Sequence, residues 1–118
     1  MTPRPAEIAD RALDEIFNQR DPALMRAAID ELCAADLTFI DPEGTSHGID
    51  DFVGKVIAAQ ALGTPDFRFT SLAPAREVAD LALHRWELGV PGQPAVVTGT
   101  DVVIVAEGKI VTFYTVVG

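Results

Sequence analysis

The sequence predicts an α+β domain: three N-terminal helices packed on a curved, mostly antiparallel sheet. Three observations predict it. In the first half of the chain, apolar residues recur at three- and four-residue steps, as on the buried stripe of amphipathic helices. From Thr64-Pro65 onward the pattern changes to alternation broken by hairpin-type loops. The later strands are long and joined by short connections, so they run antiparallel. A long antiparallel sheet facing a few helices twists and curls around them. It leaves a conical pocket that is open where the helices do not reach.

Residues 1–4 read as a tail. Pro5 suits a first helical turn, and Ile8, Ala12, Leu13, Ile16 and Phe17 mark one face of a helix over 5–18. Asp21 as N-cap and Pro22 as first helical residue start a second helix over 22–34. Its inner face carries Leu24, Ala28, Ile29, Leu32 and Cys33. Thr38, Phe39 and Ile40 favour an extended backbone, giving a strand over 36–41. Pro42-Glu43-Gly44 turns the chain into a short strand over 44–47. Asp50 caps a third helix over 50–61, with Phe52, Val53, Val56 and Ile57 inward. Residues 67–73 alternate, with Phe67, Phe69 and Ser71 on one face, and Pro74 interrupts them. A strand over 76–88 follows, then the loop Val90-Pro91-Gly92-Gln93-Pro94 and a long strand over 95–106. Glu107-Gly108-Lys109 makes a tight turn into a last strand over 110–117. There is no internal repeat or linker, so 1–118 reads as a single domain.

The formal charge is −9 over 118 residues. That argues against nucleic acid, whose phosphates need Lys and Arg, and against anionic membrane surfaces. It favours neutral or cationic small ligands. Cys33 stands alone, so no internal disulfide forms, and its apolar surroundings read as a small buried hydrophobe. The N-terminus lacks the apolar stretch of a signal peptide, and no run reaches membrane-spanning length. A cytoplasmic protein is the expectation. His47 and His84 are far apart, and no His, Cys or carboxylate cluster has ligand spacing, so no metal is expected. No glycine-rich loop precedes a helix, so no nucleotide cofactor is expected either.

Three polar residues stand out. Asp41 ends a strand beside Phe39 and Ile40; it is either a turn former or a general base held against an apolar wall. On the strand over 95–106, Asp101 shares a face with Val97, Gly99, Val103 and Val105. It is either inward and functional or outward in an interface. His84 shares a face with Ala82, Trp86 and Leu88. It is either a donor or proton relay, or a buried histidine bonded to a neighbour. The opposite sheet face carries Thr98, Thr100, Val102, Ile104, Tyr114 and Val116. This apolar and β-branched patch predicts a homodimer through the outer face of the sheet.

Phe39-x-Asp41-Pro42-x-Gly44, then Gly48-x-Asp50, Trp86, Gly99-x-Asp101 and Gly108-Lys109-Ile110 resemble the NTF2-like superfamily. Within it they resemble the SnoaL-like and ketosteroid isomerase-like branch, over nearly the whole chain. The resemblance implies an NTF2-like (cystatin-like) cone with an internal pocket, and it turns the Asp101 face toward that pocket. The general base of ketosteroid isomerases is the Asp of an Asp-Pro-x-Gly turn, which falls on Asp41. Their oxyanion is held by a protonated Asp on the penultimate strand, which falls on Asp101; those isomerases are the reference case for a carboxyl kept neutral in this way. Their third group, a Tyr on the first helix, falls on Leu13, which has no hydroxyl. Losing one such donor removes roughly a hundredfold or more in rate. Limonene epoxide hydrolases share the fold with an Asp-Arg-Asp set, but the last strand here offers Thr112, Phe113, Tyr114 and Thr115 where one acid should stand. SnoaL-type polyketide cyclases pair an acid/base Asp with a nearby His, roles that Asp101 and His84 match.

The function implied is a cofactor-independent acid/base enzyme of ketosteroid isomerase-like type acting on an apolar or ring-bearing carbonyl compound. Asp41, Asp101 and His84 would be catalytic. Leu13, Phe17, Phe39, Phe52, Val56, Phe67, Trp86, Val103 and Phe113 would bind the substrate. The alternatives are a non-catalytic ligand-binding or assembly module, and a SnoaL-type cyclase or epoxide-hydrolase-like variant. A deep pocket holding both carboxyls favours an enzyme; one plugged by Leu13, Phe113 and Trp86 favours the module.

Overall fold

Pro5 opens α1 (Pro5–Ala12) in the computed structural model, which describes residues 2–118. Ile8, Ala9 and Ala12 form its buried stripe. The helix does not run on as α to Asn18. It widens into a π-helical turn over Leu13–Phe17, closed by the Asn18 N–H on the Leu13 carbonyl at 3.0 Å. The wider turn carries Leu13, Ile16 and Phe17 inward together, and all three are buried. Such turns recur where a helix contributes to a functional site. The Asn18 amide then bonds the Phe69 carbonyl and N–H at 2.7 and 2.8 Å, tying the helix end to a strand.

Asp21 caps α2 (Pro22–Leu32), its carboxylate accepting the N–H groups of Ala23 and Leu24. The helix ends earlier than apolar spacing predicts. Cys33 pairs with Ile110 on the last strand and so opens β1 (Cys33–Asp41). β2 (Gly44–His47) folds back on β1, and α3 (Ile49–Gln60) follows. The Gln60 amide donates to the carbonyls of Phe17 and Gln19 at 3.2 and 2.7 Å, capping the end of the first helix from α3.

The remaining strands are β3 (Arg68–Ser71), β4 (Arg76–Val78), β5 (Leu81–Gly89), β6 (Val97–Ala106) and β7 (Lys109–Val117). The predicted strand over 76–88 is therefore two strands. Ala79 adopts φ 52°, and β4 reverses onto β5, with Arg76 opposite Leu83 and Val78 opposite Leu81. The reversal at Ala79-Asp80 carries neither Gly nor Pro, so alternation ran through it unseen. The sheet order is β2-β1-β7-β6-β5-β3, with β4 also on β5. β1 and β7 are parallel and the other pairings are antiparallel. That parallel pair brings the turn at Asp41 to the same end of the sheet as the C-terminal end of β7. No described helix is long and apolar enough to cross a membrane.

The core lies between the helices and the concave face of the sheet. Phe17, Phe39, Phe52 and Phe113 meet there with ring centroids 5.1–6.0 Å apart, and Phe69 stands edge-on to Trp86 at 5.2 Å. Edge and tilted contacts of this kind add about 0.5–1.5 kcal/mol each beyond area burial.

Candidate functional site

Beside this core lies an apolar cavity of about 350 Å³. The π-helical turn supplies Leu13 and Phe17, and α3 with its C-terminal extension supplies Lys55, Ala58, Ala59 and Leu62. The sheet supplies Phe39, Phe69, Trp86, Leu88, Val97, Asp101, Thr115 and Val117. Asp41, Pro42 and Glu43 complete the wall at the β1–β2 turn. Asp41 and Asp101 thus line one cavity.

Asp101 is buried on the inward face of β6, which also carries Gly99, Val103 and Val105. Two donors reach the same oxygen. The Trp86 indole N–H bonds Oδ1 at 2.9 Å, and the Thr115 hydroxyl bonds Oδ1 at 3.0 Å. Thr115 stands directly opposite Asp101 on β7. Trp86 reaches it from β5, one inward position along from the residue opposite Asp101. Burial raises the carboxyl pKa to about 7, against the two hydrogen bonds, which favour the ionised form. With Oδ1 engaged by two donors, a proton on this carboxyl belongs on Oδ2. A neutral Asp101 is then a hydrogen-bond donor in an apolar wall.

Asp41 is held differently. Its Oδ1 accepts the Glu43 N–H at 3.0 Å, an Asx turn set by the intervening Pro42. Lys55 on α3 pairs with Oδ2 at 3.1 Å and with Glu43 Oε1 at 3.1 Å. Asp41, followed by Glu43, holds the Lys55 ammonium above its ordinary pKa, so this lysine is a fixed cation and a poor nucleophile. Turn former and cavity residue are therefore both true of Asp41.

Leu13, Phe17, Phe39 and Trp86 line the cavity as well. The other predicted contact residues do not. Phe52, Val56, Val103 and Phe113 are fully buried in the layer behind the lining, where they pack against it. Phe67 precedes β3, and its ring covers Gly63. The register of β3, with Phe69 opposite Leu88, gives the inward place to Phe69.

His84 shares the buried face of β5 with Trp86 but lies away from the cavity lining. Its Nε2 is 2.8 Å from Ser71 Oγ and 3.4 Å from Asp10 Oδ1, on β3 and α1. Ser71 donates to the Ala73 carbonyl at 2.6 Å, so it accepts from His84. Nδ1 is buried without a partner among the described residues. The imidazole is a buried tie between α1 and the sheet, because α1 crosses β5 at this point and covers it.

Sequence reasoning missed Lys55, Phe69 and Thr115. Lys55, Ala58, Ala59 and Leu62 follow helical spacing, but a stripe that starts with Lys reads as solvent-facing. Thr115 becomes visible only when the β6–β7 register is known. Among the described residues no three His, Cys, Asp or Glu side chains converge as a metal-ligand set.

A helix-covered curled sheet with acidic side chains on an apolar cavity defines the NTF2-like class. Residues 9–113 match the SnoaL-like domain family, and the chain belongs to it. No curated protein matches the chain. Several solved structures share its fold. A protein of Agrobacterium tumefaciens strain C58, provisionally named an isomerase of the SnoaL-like family, superposes with a TM-score of 0.83 at 24% identity over 94% of each chain. A provisionally named polyketide cyclase of Sinorhizobium meliloti gives 0.70 at 20% identity over 92% of each chain. A provisionally named ketosteroid isomerase of Kribbella flavida gives 0.69 at 17% identity over 94% of this chain and 75% of its own. At these identities the likeness is one of fold.

Proposed function

We propose that the cavity binds a small apolar carbonyl compound and that the protein is a cofactor-independent acid/base enzyme of ketosteroid isomerase-like type. The observation that carries this reading is the pair of carboxyls on one cavity in unlike surroundings. Asp41 is ion-paired at the β1–β2 turn, and Asp101 is desolvated, with its pKa raised to about 7. Two carboxyls whose environments differ suit one as base and one as acid. Asp41 takes a proton from the carbon next to the carbonyl. Oδ2 of Asp101 donates to the carbonyl oxygen as negative charge develops there. The names given to the neighbouring structures, isomerase and polyketide cyclase among them, support acid/base chemistry as the class. His84 is not assigned a catalytic role in this mechanism, because its ring is tied to Ser71 away from the cavity. The apolar lining and the acidic chain favour a neutral ring-bearing ligand over nucleic acid or an anionic membrane surface. The lone Cys33, buried with its thiol pKa pushed up to about 12, fits a reducing cytoplasm.

The test follows double-bond migration in a 3-keto-Δ5 steroid and in smaller β,γ-unsaturated ketones by ultraviolet absorbance. Asp41→Asn should lower the rate by about 10²–10⁴-fold with the fold intact, since the amide keeps the shape without the basicity. The rate should fall as pH rises through about 7, where Asp101 loses the proton it donates. Leu13 lies on the cavity where the resemblance expects a Tyr, so Leu13→Tyr should raise the rate. If wild type and Leu13→Tyr are both silent and a Δ4-3-ketosteroid does not bind, the isomerase reading fails. The Lys55–Asp41 ion pair favours the second reading, a non-catalytic binding module whose polar turn is structural.

We also propose a homodimer through the outer sheet face. Tyr114 and Val116 are exposed there beside Thr98, Thr100, Val102 and Ile104. A second copy would cover this patch isologously. Light scattering should give twice the chain mass at micromolar concentration; a monomer overturns the proposal.

A further inference from the structure

Gly99 lies inside β6, as its third residue, directly opposite Trp86 on β5. Glycine weakens a strand interior and usually marks a close approach of another group. Its φ is not in the left-handed region, so backbone freedom does not explain it. Space does. A Cβ added at Gly99 would stand 2.2 Å from Cζ2 and 2.6 Å from Cη2 of the Trp86 ring. The indole thus lies across β6 over the bare backbone of Gly99. From there its N–H reaches Asp101, two residues further along the same strand.

We infer that Gly99 is a positioning residue for the cavity carboxyl: by leaving room for the Trp86 indole, it sets the hydrogen bond that holds Asp101 with Oδ2 free for a ligand. Any side chain at this position must push the ring into the cavity or off Asp101. Thr115 alone would then hold Oδ1, and the carboxyl would no longer be fixed from two strands. The effect on the cavity is a specificity effect as well, because the ring is part of its wall. This inference rests on the reading of Asp101 as the cavity's hydrogen-bond donor, but its test needs no turnover.

The test is a ¹³C NMR titration of the Asp101 carboxyl in the ligand-free protein, the resonance being assigned by its loss in Asp101→Asn. Trp86→Phe and Thr115→Val each remove a donor to the ionised form. Each should shift the titration upward by about one to two pH units. Gly99→Ala removes no donor, yet it should shift the titration upward to a similar extent. Gly99→Ala combined with Trp86→Phe should titrate like Trp86→Phe alone, because both changes act through one bond. A folded Gly99→Ala protein with Asp101 titrating as in wild type overturns the inference, and so does an additive double variant. If Gly99→Ala does not fold, recovery of the fold in the double variant supports the clash with the indole, and failure to recover overturns it. A wild-type Asp101 that titrates in the ordinary carboxylate range would instead sink the acid role proposed above, while the comparison among variants would still judge Gly99.

Discussion

Asp101→Asn should make the protein more stable at pH 8 than the wild type, by roughly 2–4 kcal/mol. The folded-state pKa of Asp101 is raised, to about 7 from the ordinary 3.8. Below the lower value both folded and unfolded chains carry the proton, and burial costs no charge. Between the two values the unfolded chain ionises and the folded one does not, so stability falls as pH rises. Above about 7 the folded chain holds a buried carboxylate, and the full penalty, on the order of 4 kcal/mol, is in place. An asparagine fits the same contacts. Its carbonyl oxygen accepts from Trp86 and Thr115 as Oδ1 does now, and its amide takes the place of the protonated Oδ2. Denaturant melts from pH 4 to pH 8 should show the wild-type stability declining across that window, with the variant nearly flat. Parallel curves would mean that Asp101 is solvated well enough to ionise normally. The same variant separates stability from chemistry: an amide still donates, so any activity should outlast the loss of titration above pH 7.

Trp86→Ala should cost about 3–5 kcal/mol, the range for truncating a large buried aromatic. Trp86 is 5% exposed, packs edge-on to Phe69 and donates to Asp101. Removing it takes away the ring contact, the cavity wall and one of the two donors to Oδ1 at once. Trp86→Phe keeps most of the apolar volume and loses the N–H, so it should cost less than the alanine change. Urea unfolding of the two variants divides packing from hydrogen bonding. A midpoint barely moved in Trp86→Ala would mean that the ring contributes little to the core. Binding of apolar fluorescent probes should change in both variants, because the ring is part of the cavity wall.

The sequence by itself determined the α+β class, the order of the helices and long strands, and which residues of β6 share a face; the structure turned the Asp101 face inward. The physical reason is that periodicity is local. A strand's two faces are fixed by alternation, so Gly99, Asp101, Val103 and Val105 had to share a side. The Asp21-Pro22 start of α2 and the Asp41-Pro42 turn were likewise set by residues acting on their own backbone.

Tertiary structure decided what no local pattern carries. The π-helical turn at Leu13–Phe17 and the reversal at Ala79-Asp80 are imposed by packing and pairing, without Gly or Pro to announce them. The division of aromatic residues between lining and core depends on depth: Phe39 and Phe113 follow the same alternation, yet only Phe39 meets the cavity. His84 has the inward phase of Trp86, but α1 covers it and Ser71 binds it. The Lys55–Asp41 pair and the two donors on Asp101 are contacts between distant segments, so they exist only once the sheet register is set. Gly99 shows both levels at once. That it shares a face with Asp101 is legible in the sequence, but the reason for a glycine there is a ring on the neighbouring strand.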